Sequence, residues 1–166
     1  MQLTLNLSSL LVTTFFTGLT AGLCFTWANA VTPGIGRLDD LGFLHAFQQM
    51  NRAIINPIFI VVFMGPMITH IANIFLFKSD NSTVFWLVLT AAILYLIGLV
   101  LMTVLGNVPL NEMIDKVDLL SATPEELASL REQFEVRWNR FHIVRTITTS
   151  LSFGLLIVSI VLHSKQ

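Results

Sequence analysis

The side chains best suited to chemistry lie near the C-terminus, in residues 135–152, where a charged helix passes directly into an apolar stretch. A helix turns by about 100° per residue, so one of its faces carries Glu135, Trp138, His142, Arg145 and Thr149. An imidazole titrates near neutral pH and can serve as a base, and a guanidinium can hold an anion. Because a charge at the edge of a hydrocarbon layer needs partners, this stripe predicts a polar site that other segments complete. Two alternatives for Arg145 are an extension to the lipid headgroups and a structural ion pair with Glu135 or Glu112.

A second group of polar side chains lies in residues 41–55, a segment that Asp39 and Asp40 can cap at its start. Their spacing places them on one face of a short amphipathic helix: His45, Gln48, Gln49, Arg52 and Asn56. The other sides of this helix are apolar. The polar face either contacts water and headgroups or turns inward as the lining of a site, and the sequence leaves both interpretations open.

A third group surrounds Pro109, which is flanked by Asn107 and Asn111. We expect this proline to end one helix and to start another over residues 110–117, because a proline has no amide hydrogen to donate. The two asparagines can cap the freed backbone groups, and their amides can also line a pocket.

The composition identifies the setting of these groups. Of the 166 residues, 54% are hydrophobic and only 11% are charged, with a mean hydropathy of +0.77. A soluble domain carries about a quarter charged residues, so the chain is predicted to be an integral membrane protein. The net charge of -1 argues against binding to nucleic acid. The single cysteine, Cys24, excludes an intramolecular disulfide and is interpreted as a small buried apolar residue.

Four apolar stretches are long enough to cross a bilayer: residues 10–30, 57–77, 84–106 and 143–163. A polar turn at residues 78–82 is short enough to make the second and third spans a hairpin. Thr123, Pro124 and Glu126 form a strong helix start, from which a helical pattern runs unbroken to about His163. The half of this helix before the fourth span, residues 124–142, must therefore stand at or above the membrane surface.

The first span has features of its own. Residues 28–30 resemble a signal-peptidase site, but no basic residue precedes the apolar run, so we interpret it as a retained span. Residues 32–36 are expected to break its helix. Gly18 and Gly22 form a G-x-x-x-G pattern that favours close helix approach, including homo-oligomer formation. Beside them runs a stripe of small or weakly polar residues, interpreted as helix packing: Thr13, Thr17, Thr20, Cys24 and Trp27.

Together these elements predict one all-α membrane domain over residues 1–166. It is a transmembrane four-helix bundle with a short amphipathic helix (41–55) between the first two spans and a helical extension (124–142) before the fourth. Both insertions fall on the same side of the membrane. We therefore predict that His45, Arg52, Asn111 and Arg145 line one polar cavity there. In the second span, His70 and Asn73 share a face, either as packing residues or as a ligand or proton carrier.

The order of several short motifs resembles the anthrone-oxygenase-like family of small four-span membrane proteins. The motifs are a glycine-rich first span ending near Pro33, Gln49-Met50-Asn51, Asn107-x-Pro109-x-Asn111, and Trp138-x-x-x-His142-x-x-Arg145-Thr146. The resemblance extends from about Gly18 to Phe153. It implies an oxidoreductase that oxidises a lipophilic, phenol-like aromatic substrate with molecular oxygen, without a conventional cofactor.

Such a reaction needs a base, donors for an oxyanion and a water-excluding pocket. In this sequence the candidates are His142 or His45 as the base, and Arg145 and Arg52 as the groups that hold the anion. The neutral donors would be Gln48, Gln49, Asn51, Asn107 and Asn111, and Trp138 would form one wall against a flat ring.

Two alternatives remain open. Two imidazoles and two carboxylates, from His45, His142, Glu135 and Glu112, could bind a metal ion, although no local ligand spacing supports such a site. The protein could also be a non-enzymatic assembly factor or a small-molecule carrier. In each case its partners would be the bilayer and a small lipophilic molecule, and its location the plasma or inner membrane.

Overall fold

The computed structural model describes residues 4–78 and 83–165, and all regular secondary structure in these residues is helical. The five helices are α1 (Leu5–Ile35), α2 (Asp40–Ile54), α3 (Pro57–Phe77), α4 (Thr83–Asp115) and α5 (Pro124–His163). All but α2 are long and apolar enough to cross a membrane. This confirms the all-helical fold with four candidate spans. Residues 79–82 of the predicted polar turn lie outside the described residues.

Side chains cap the starts of four helices and satisfy amide hydrogens that have no partner inside the helix. Thr4 caps α1, Asp39 caps α2 and Asn56 caps α3. At the start of α5, Thr123 and Glu126 form a reciprocal capping box. The expected start of α5 is therefore confirmed.

The expected end of the first helix within residues 32–36 is confirmed, because α1 ends at Ile35, whereas the expected break at Pro109 is wrong. Each proline lies just beyond a π-helical segment, Trp27–Val31 in α1 and Thr103–Asn107 in α4, and both helices continue past it. In a π-helix the amide hydrogen bonds to the carbonyl five residues back. This wider turn leaves space for a proline ring, which would otherwise press on the preceding turn. Both helices are consequently longer than the predicted spans 10–30 and 84–106.

Helix α5 is the centre of the bundle, because it packs along α1 on one side and α4 on the other. Glycines permit the close approach. A Cβ atom added at Gly18, Gly98 or Gly106 would overlap a side chain of α5: Phe153, Thr148 and Phe141, respectively. Gly18 therefore serves packing inside the chain, whereas Gly22 faces open space. Homo-oligomer formation through these glycines stays a prediction.

Helix α2 lies across the end of the bundle and is held by its apolar side. Phe43, Leu44 and Phe47 are buried in a cluster with residues of α4 and α5. Among the polar residues of α2, Gln48 is buried, and its amide nitrogen donates to the carbonyls of Ile114 (2.6 Å) and Val117 (3.0 Å) at the end of α4. Aromatic packing and the side-chain amide of Gln48 thus hold α2 against the end of the bundle.

Arg131 of α5 fixes the connection between α1 and α2. It forms ion pairs with Glu135 (2.8 Å) and Asp40 (3.1 Å), and it donates to the backbone carbonyls of Gly36 and Leu38. Its guanidinium carbon also lies 4.4 Å from the centre of the Phe43 ring. This arrangement holds α2 against α5, and it leaves the carboxylate of Glu135 paired with Arg131.

Candidate functional site

A cavity of about 270 Å³ opens at the end of the bundle where α1, α2, α4 and α5 meet and α3 begins. Its volume is near the lower end for sites that bind small molecules. Its walls consist of a polar part and an apolar part. Polar lining residues come mainly from α2, α4 and α5: Asn51, Arg52, Asn107, Asn111, Glu112, Asp115, His142 and Arg145. Apolar and aromatic residues form the remainder.

His142 is oriented by a hydrogen bond at one ring nitrogen, and its other ring nitrogen has no partner among the described residues. Its Nε2 lies 3.1 Å from the backbone carbonyl of Cys24. A carbonyl can only accept a hydrogen bond, so Nε2 carries the hydrogen, and in the neutral ring Nδ1 has the free lone pair. Nδ1 is buried and has no hydrogen-bond partner among the described residues. The ring also stacks on Trp138, with centroids 4.8 Å apart and planes at 20°.

Arg145 supplies positive charge one turn below His142. Its guanidinium lies beside the Cys24 thiol and near the hydroxyl of Tyr95, and its Nε is buried without a hydrogen-bond partner. Within residues 4–78 and 83–165, no carboxylate forms an ion pair with it. A half-buried cation without a counter-charge carries a desolvation cost, so the geometry suits an anionic or strongly polar group in the cavity.

The two acids considered as partners for Arg145 are engaged elsewhere. Glu135 pairs with Arg131, and Glu112 lies 3.8 Å from Lys116, which directly follows α4. An ion pair of Arg145 with either acid is therefore wrong.

Three asparagines line the cavity, and two of them have a buried polar atom without a partner in the described residues. Asn107 donates from Nδ2 to the carbonyl of Trp138 (3.2 Å), which leaves its buried Oδ1 unpaired. Asn111 accepts a hydrogen bond from the indole nitrogen of Trp138 at 2.7 Å and thereby fixes that ring. The buried Nδ2 of Asn51 has no partner in the part of the chain that the structure describes. Unpaired buried polar atoms normally have a reason, and here a polar ligand would satisfy them.

An ion pair forms the polar rim of the cavity. Arg52 of α2 donates from Nε to Asp115 of α4 at 2.8 Å, and about half of each side chain is exposed. Arg52 is therefore already paired, unlike Arg145.

The structure brings together most of the residues expected at the site. Asn51, Arg52, Asn107, Asn111, Trp138, His142 and Arg145 all line this cavity.

Three expected members do not line the cavity: His45, Gln48 and Gln49. His45 is exposed and lies 3.3 Å from the amide nitrogen of Gln49, which is also exposed. The prediction that His45 lines the cavity is wrong, because burial of the apolar side of α2 turns this histidine outward. Gln48 faces inward, but it bonds to the backbone at the end of α4.

The proposed metal ligands are also apart. His45 is on the surface, His142 is buried beneath Trp138, and Glu135 is bound to Arg131. In the described chain, no three side chains of histidine, cysteine, aspartate or glutamate come close enough together to hold a metal ion.

Sequence reasoning missed the contribution of α1. Cys24 and Trp27 both line the cavity, and the Trp27 ring lies 5.7 Å from that of Trp138. Both belong to the stripe that was interpreted as helix packing. Their helical spacing placed them on an inward face, but nothing in the sequence indicated that this face continues into a cavity.

The first residues of the same stripe, Thr13 and Thr17, form a second polar cluster deeper in the bundle. Thr17 contacts His70 Nε2 at 3.2 Å, and Thr13 accepts a hydrogen bond from Asn73 at 2.7 Å. The rings of His70 and Tyr95 lie 4.9 Å apart. These contacts join α1 and α3, so they favour the interpretation of His70 as a packing residue.

The four long apolar helices are typical of a helical membrane protein, and the polar cavity at one end of them has the size of a small-molecule site. A comparison with protein families now identifies the relationship. The model of the anthrone oxygenase family matches residues 47–155, and the chain belongs to that family. No curated protein and no solved structure matches it. The matched region includes the cavity residues of α2, α4 and α5, whereas Cys24 and Trp27 of α1 precede it.

Proposed function

We propose that this protein is a membrane oxidoreductase that uses molecular oxygen to oxidise a lipophilic aromatic compound bearing a phenol or ketone oxygen. Membership of the anthrone oxygenase family supports oxygenase-like chemistry at the family level. The observation that carries the finer proposal is the pair formed by an unpaired imidazole nitrogen, His142 Nδ1, and a cation without a carboxylate, Arg145, in one cavity.

The first step is removal of a proton from an activated CH₂ group of the substrate. His142 Nδ1 accepts the proton, and the negative charge spreads from carbon to the conjugated oxygen. Arg145 stabilises that oxyanion, with the unpaired amide of Asn51 as a further donor. The indole rings of Trp27 and Trp138 provide flat surfaces for the aromatic system.

The second step is reaction with oxygen. The carbanion reduces O₂ and joins it, so that a C–O bond forms, and the imidazolium returns its proton to give a hydroperoxide. His142 then removes the second C–H proton as the O–O bond breaks, and the departing hydroxide takes that proton to become water. The CH₂ group has become a carbonyl, and the balance is one CH₂ and one O₂ giving one C=O and one H₂O.

This sequence of steps needs no conventional cofactor. A metal ion would have to bind outside the four candidate ligands, which the fold keeps apart. We further propose the plasma or inner membrane as the location, since the substrate would partition into lipid.

The proposal is tested by oxygen uptake of the purified protein with a panel of anthrones and hydroquinones, with and without a chelator, against a protein-free blank. Uptake with the anthrones that survives the chelator and converts their CH₂ group to a ketone supports it, whereas the hydroquinones, which have no CH₂ group, should not react by these steps. In the His142→Gln variant we expect a rate about 10²–10⁴-fold lower, because the amide can still donate to Cys24 but is not a base.

The matched control is His45→Gln, which changes the exposed histidine and should leave the rate unchanged. Equal losses in both variants would contradict the assignment of the base. Binding of the aromatic compounds without any oxygen uptake would support a carrier instead.

A further inference from the structure

The two helices of the α3–α4 hairpin separate towards the cavity. They pack closely only where the Thr83–Ile93 segment of α4 runs beside α3. Further along, the Leu94–Leu101 and Thr103–Asn107 segments of α4 pack on α5 instead. In the described residues α3 has no comparable packing against those two segments, so a gap widens between α3 and α4 in the direction of the cavity.

Large side chains close the middle of this gap but not its end. Phe63, Tyr95 and Leu99 form a buried cluster between the helices, and the Tyr95 hydroxyl donates to the Phe63 carbonyl at 2.8 Å. Beyond this cluster, towards α2, the residues on the two sides of the gap line the cavity itself: Ile55 and Phe59 on one side, Thr103 and Val108 on the other. The cavity therefore extends into the open end of the gap.

The open end lies on the apolar outer surface of the bundle. Ile55 is 73% exposed and Val108 38% exposed, although both line the cavity. Their outward neighbours Ile58 and Leu105 are 77% and 67% exposed, and both belong to candidate membrane spans. Side chains of this kind face hydrocarbon in a membrane protein, so this side of the cavity opens towards lipid.

The polar and apolar parts of the lining occupy different positions. Arg145 and His142 belong to α5, whereas Phe59 and Val108 belong to the helices that border the gap, and Ile55 lies two residues before α3. A molecule with one polar edge and an apolar ring system fits this arrangement in only one orientation, with its oxygen inward and its rings towards the bilayer.

We propose that the gap between α3 and α4 is a bilayer-facing subsite that binds the uncharged, fused aromatic rings of the ligand and admits it directly from the membrane. The subsite rests on the proposed function for the identity of its ligand. Its apolar character can be tested separately, because it requires no reaction and no oxygen atom on the probe.

The probe is anthracene, a flat three-ring hydrocarbon without oxygen, whose absorption overlaps tryptophan emission. The protein is placed in lipid nanodiscs with Trp86 changed to Phe, because Trp86 lies at the far end of α4 and the remaining tryptophans, Trp27 and Trp138, line the cavity. We expect energy transfer from these two residues to anthracene. Val108→Phe, which narrows the gap, should weaken anthracene binding about tenfold.

The matched control is Leu105→Phe, one helical turn away on the same helix, where the added ring faces lipid and does not line the cavity. It should bind anthracene as the unmodified protein does. If Val108→Phe and Leu105→Phe bind anthracene equally well, the subsite is wrong.

The direction of entry is tested with phospholipids brominated on the acyl chain, which quench tryptophan only on contact with hydrocarbon. Quenching of Trp27 and Trp138 that is reduced in Val108→Phe, but not in Leu105→Phe, supports an opening to the bilayer. Quenching by aqueous iodide alone would overturn it and place the opening on the water side.

Failure of this subsite can be separated from failure of the proposed function. Arg145→Gln should reduce oxygen uptake and leave anthracene binding intact, because the hydrocarbon makes no use of the cation. Unchanged anthracene binding in Val108→Phe together with lost uptake in Arg145→Gln would remove the subsite and retain the chemistry. Tight anthracene binding without oxygen uptake in the unmodified protein would retain the subsite and remove the proposed chemistry.

Discussion

Two buried histidines face the same helix, α1, and the contrast between their surroundings separates chemistry from packing. His142 lies in the cavity region, where it contacts the Cys24 carbonyl and has a cation, Arg145, one turn away. His70 lies in the closed middle of the bundle, where it contacts the Thr17 hydroxyl and is fully buried. In neither histidine does Nδ1 have a hydrogen-bond partner within the described part of the chain.

The difference teaches that burial and an unpaired nitrogen are not enough to define a catalytic base. A base must also reach a substrate, and its product must meet a stabilising charge. Of the two histidines, only His142 lines the cavity, together with the cation of Arg145. We therefore expect the cavity region to respond to changes of charge and the closed region to respond to changes of packing.

The largest effect is expected for Arg145→Ala. Loss of the cation removes the group that would hold the oxyanion, and comparable losses in enzymes lower the turnover rate by about 10²–10³-fold. Oxygen uptake in lipid nanodiscs measures it. The matched control is Arg37→Ala, which removes an exposed arginine from the loop that follows α1. If both variants retained full activity, Arg145 would be a membrane-surface residue and the contrast with the closed region would disappear.

Much of this contrast could be anticipated from the sequence. Uninterrupted apolar stretches specify the four spans, and counting those spans places Arg52, Asn111 and Arg145 at the same end of the bundle. That convergence is confirmed by their common cavity. The α5 helix, with its cap at Thr123, also followed from local residue types.

The remainder depended on tertiary contacts that local patterns do not encode. The outward position of His45 results from aromatic residues of α2 packing on Phe134 and Trp138 of α5, which are distant in sequence. Likewise, Glu135 was a reasonable partner for Arg145 from its spacing, but in the structure it pairs with Arg131, one turn earlier in α5. Wide turns before Pro33 and Pro109 were not anticipated, because a proline signals an interruption without specifying how the backbone accommodates it.

The next effect is expected in the closed region, at Gly98. A methyl group added there would overlap Thr148 of α5, so Gly98→Ala should lower the free energy of unfolding by about 1–3 kcal/mol. Thermal unfolding in detergent measures it. Gly154→Ala is the control, since that glycine faces open space. Anthracene binding by folded Gly98→Ala should be unchanged, and a selective loss of binding would contradict the separation of the two regions.

A smaller effect is expected from the contact between His70 and Thr17. We predict a coupling free energy of about 0.6 kcal/mol in a double-mutant cycle of His70→Leu and Thr17→Val, which is typical of a hydrogen bond between membrane helices. Unfolding of the four proteins measures it. Oxygen uptake per folded molecule should be the same in all four. A large loss of uptake in His70→Leu would show that the closed region takes part in the reaction.

The smallest effect is expected at the rim of the cavity, from the ion pair of Arg52 and Asp115. Both side chains are about half exposed, and ion pairs in such positions contribute about 0.2–1 kcal/mol. Arg52→Gln and Asp115→Asn should each lower stability by less than about 1 kcal/mol, and the double variant should lose little more than either single one. Raising the salt concentration should reduce these differences, because exposed charges are screened. If instead Arg52→Gln abolished oxygen uptake at unchanged stability, the anion would be held at the rim by Arg52, and the inner cation Arg145 would lose its assigned role.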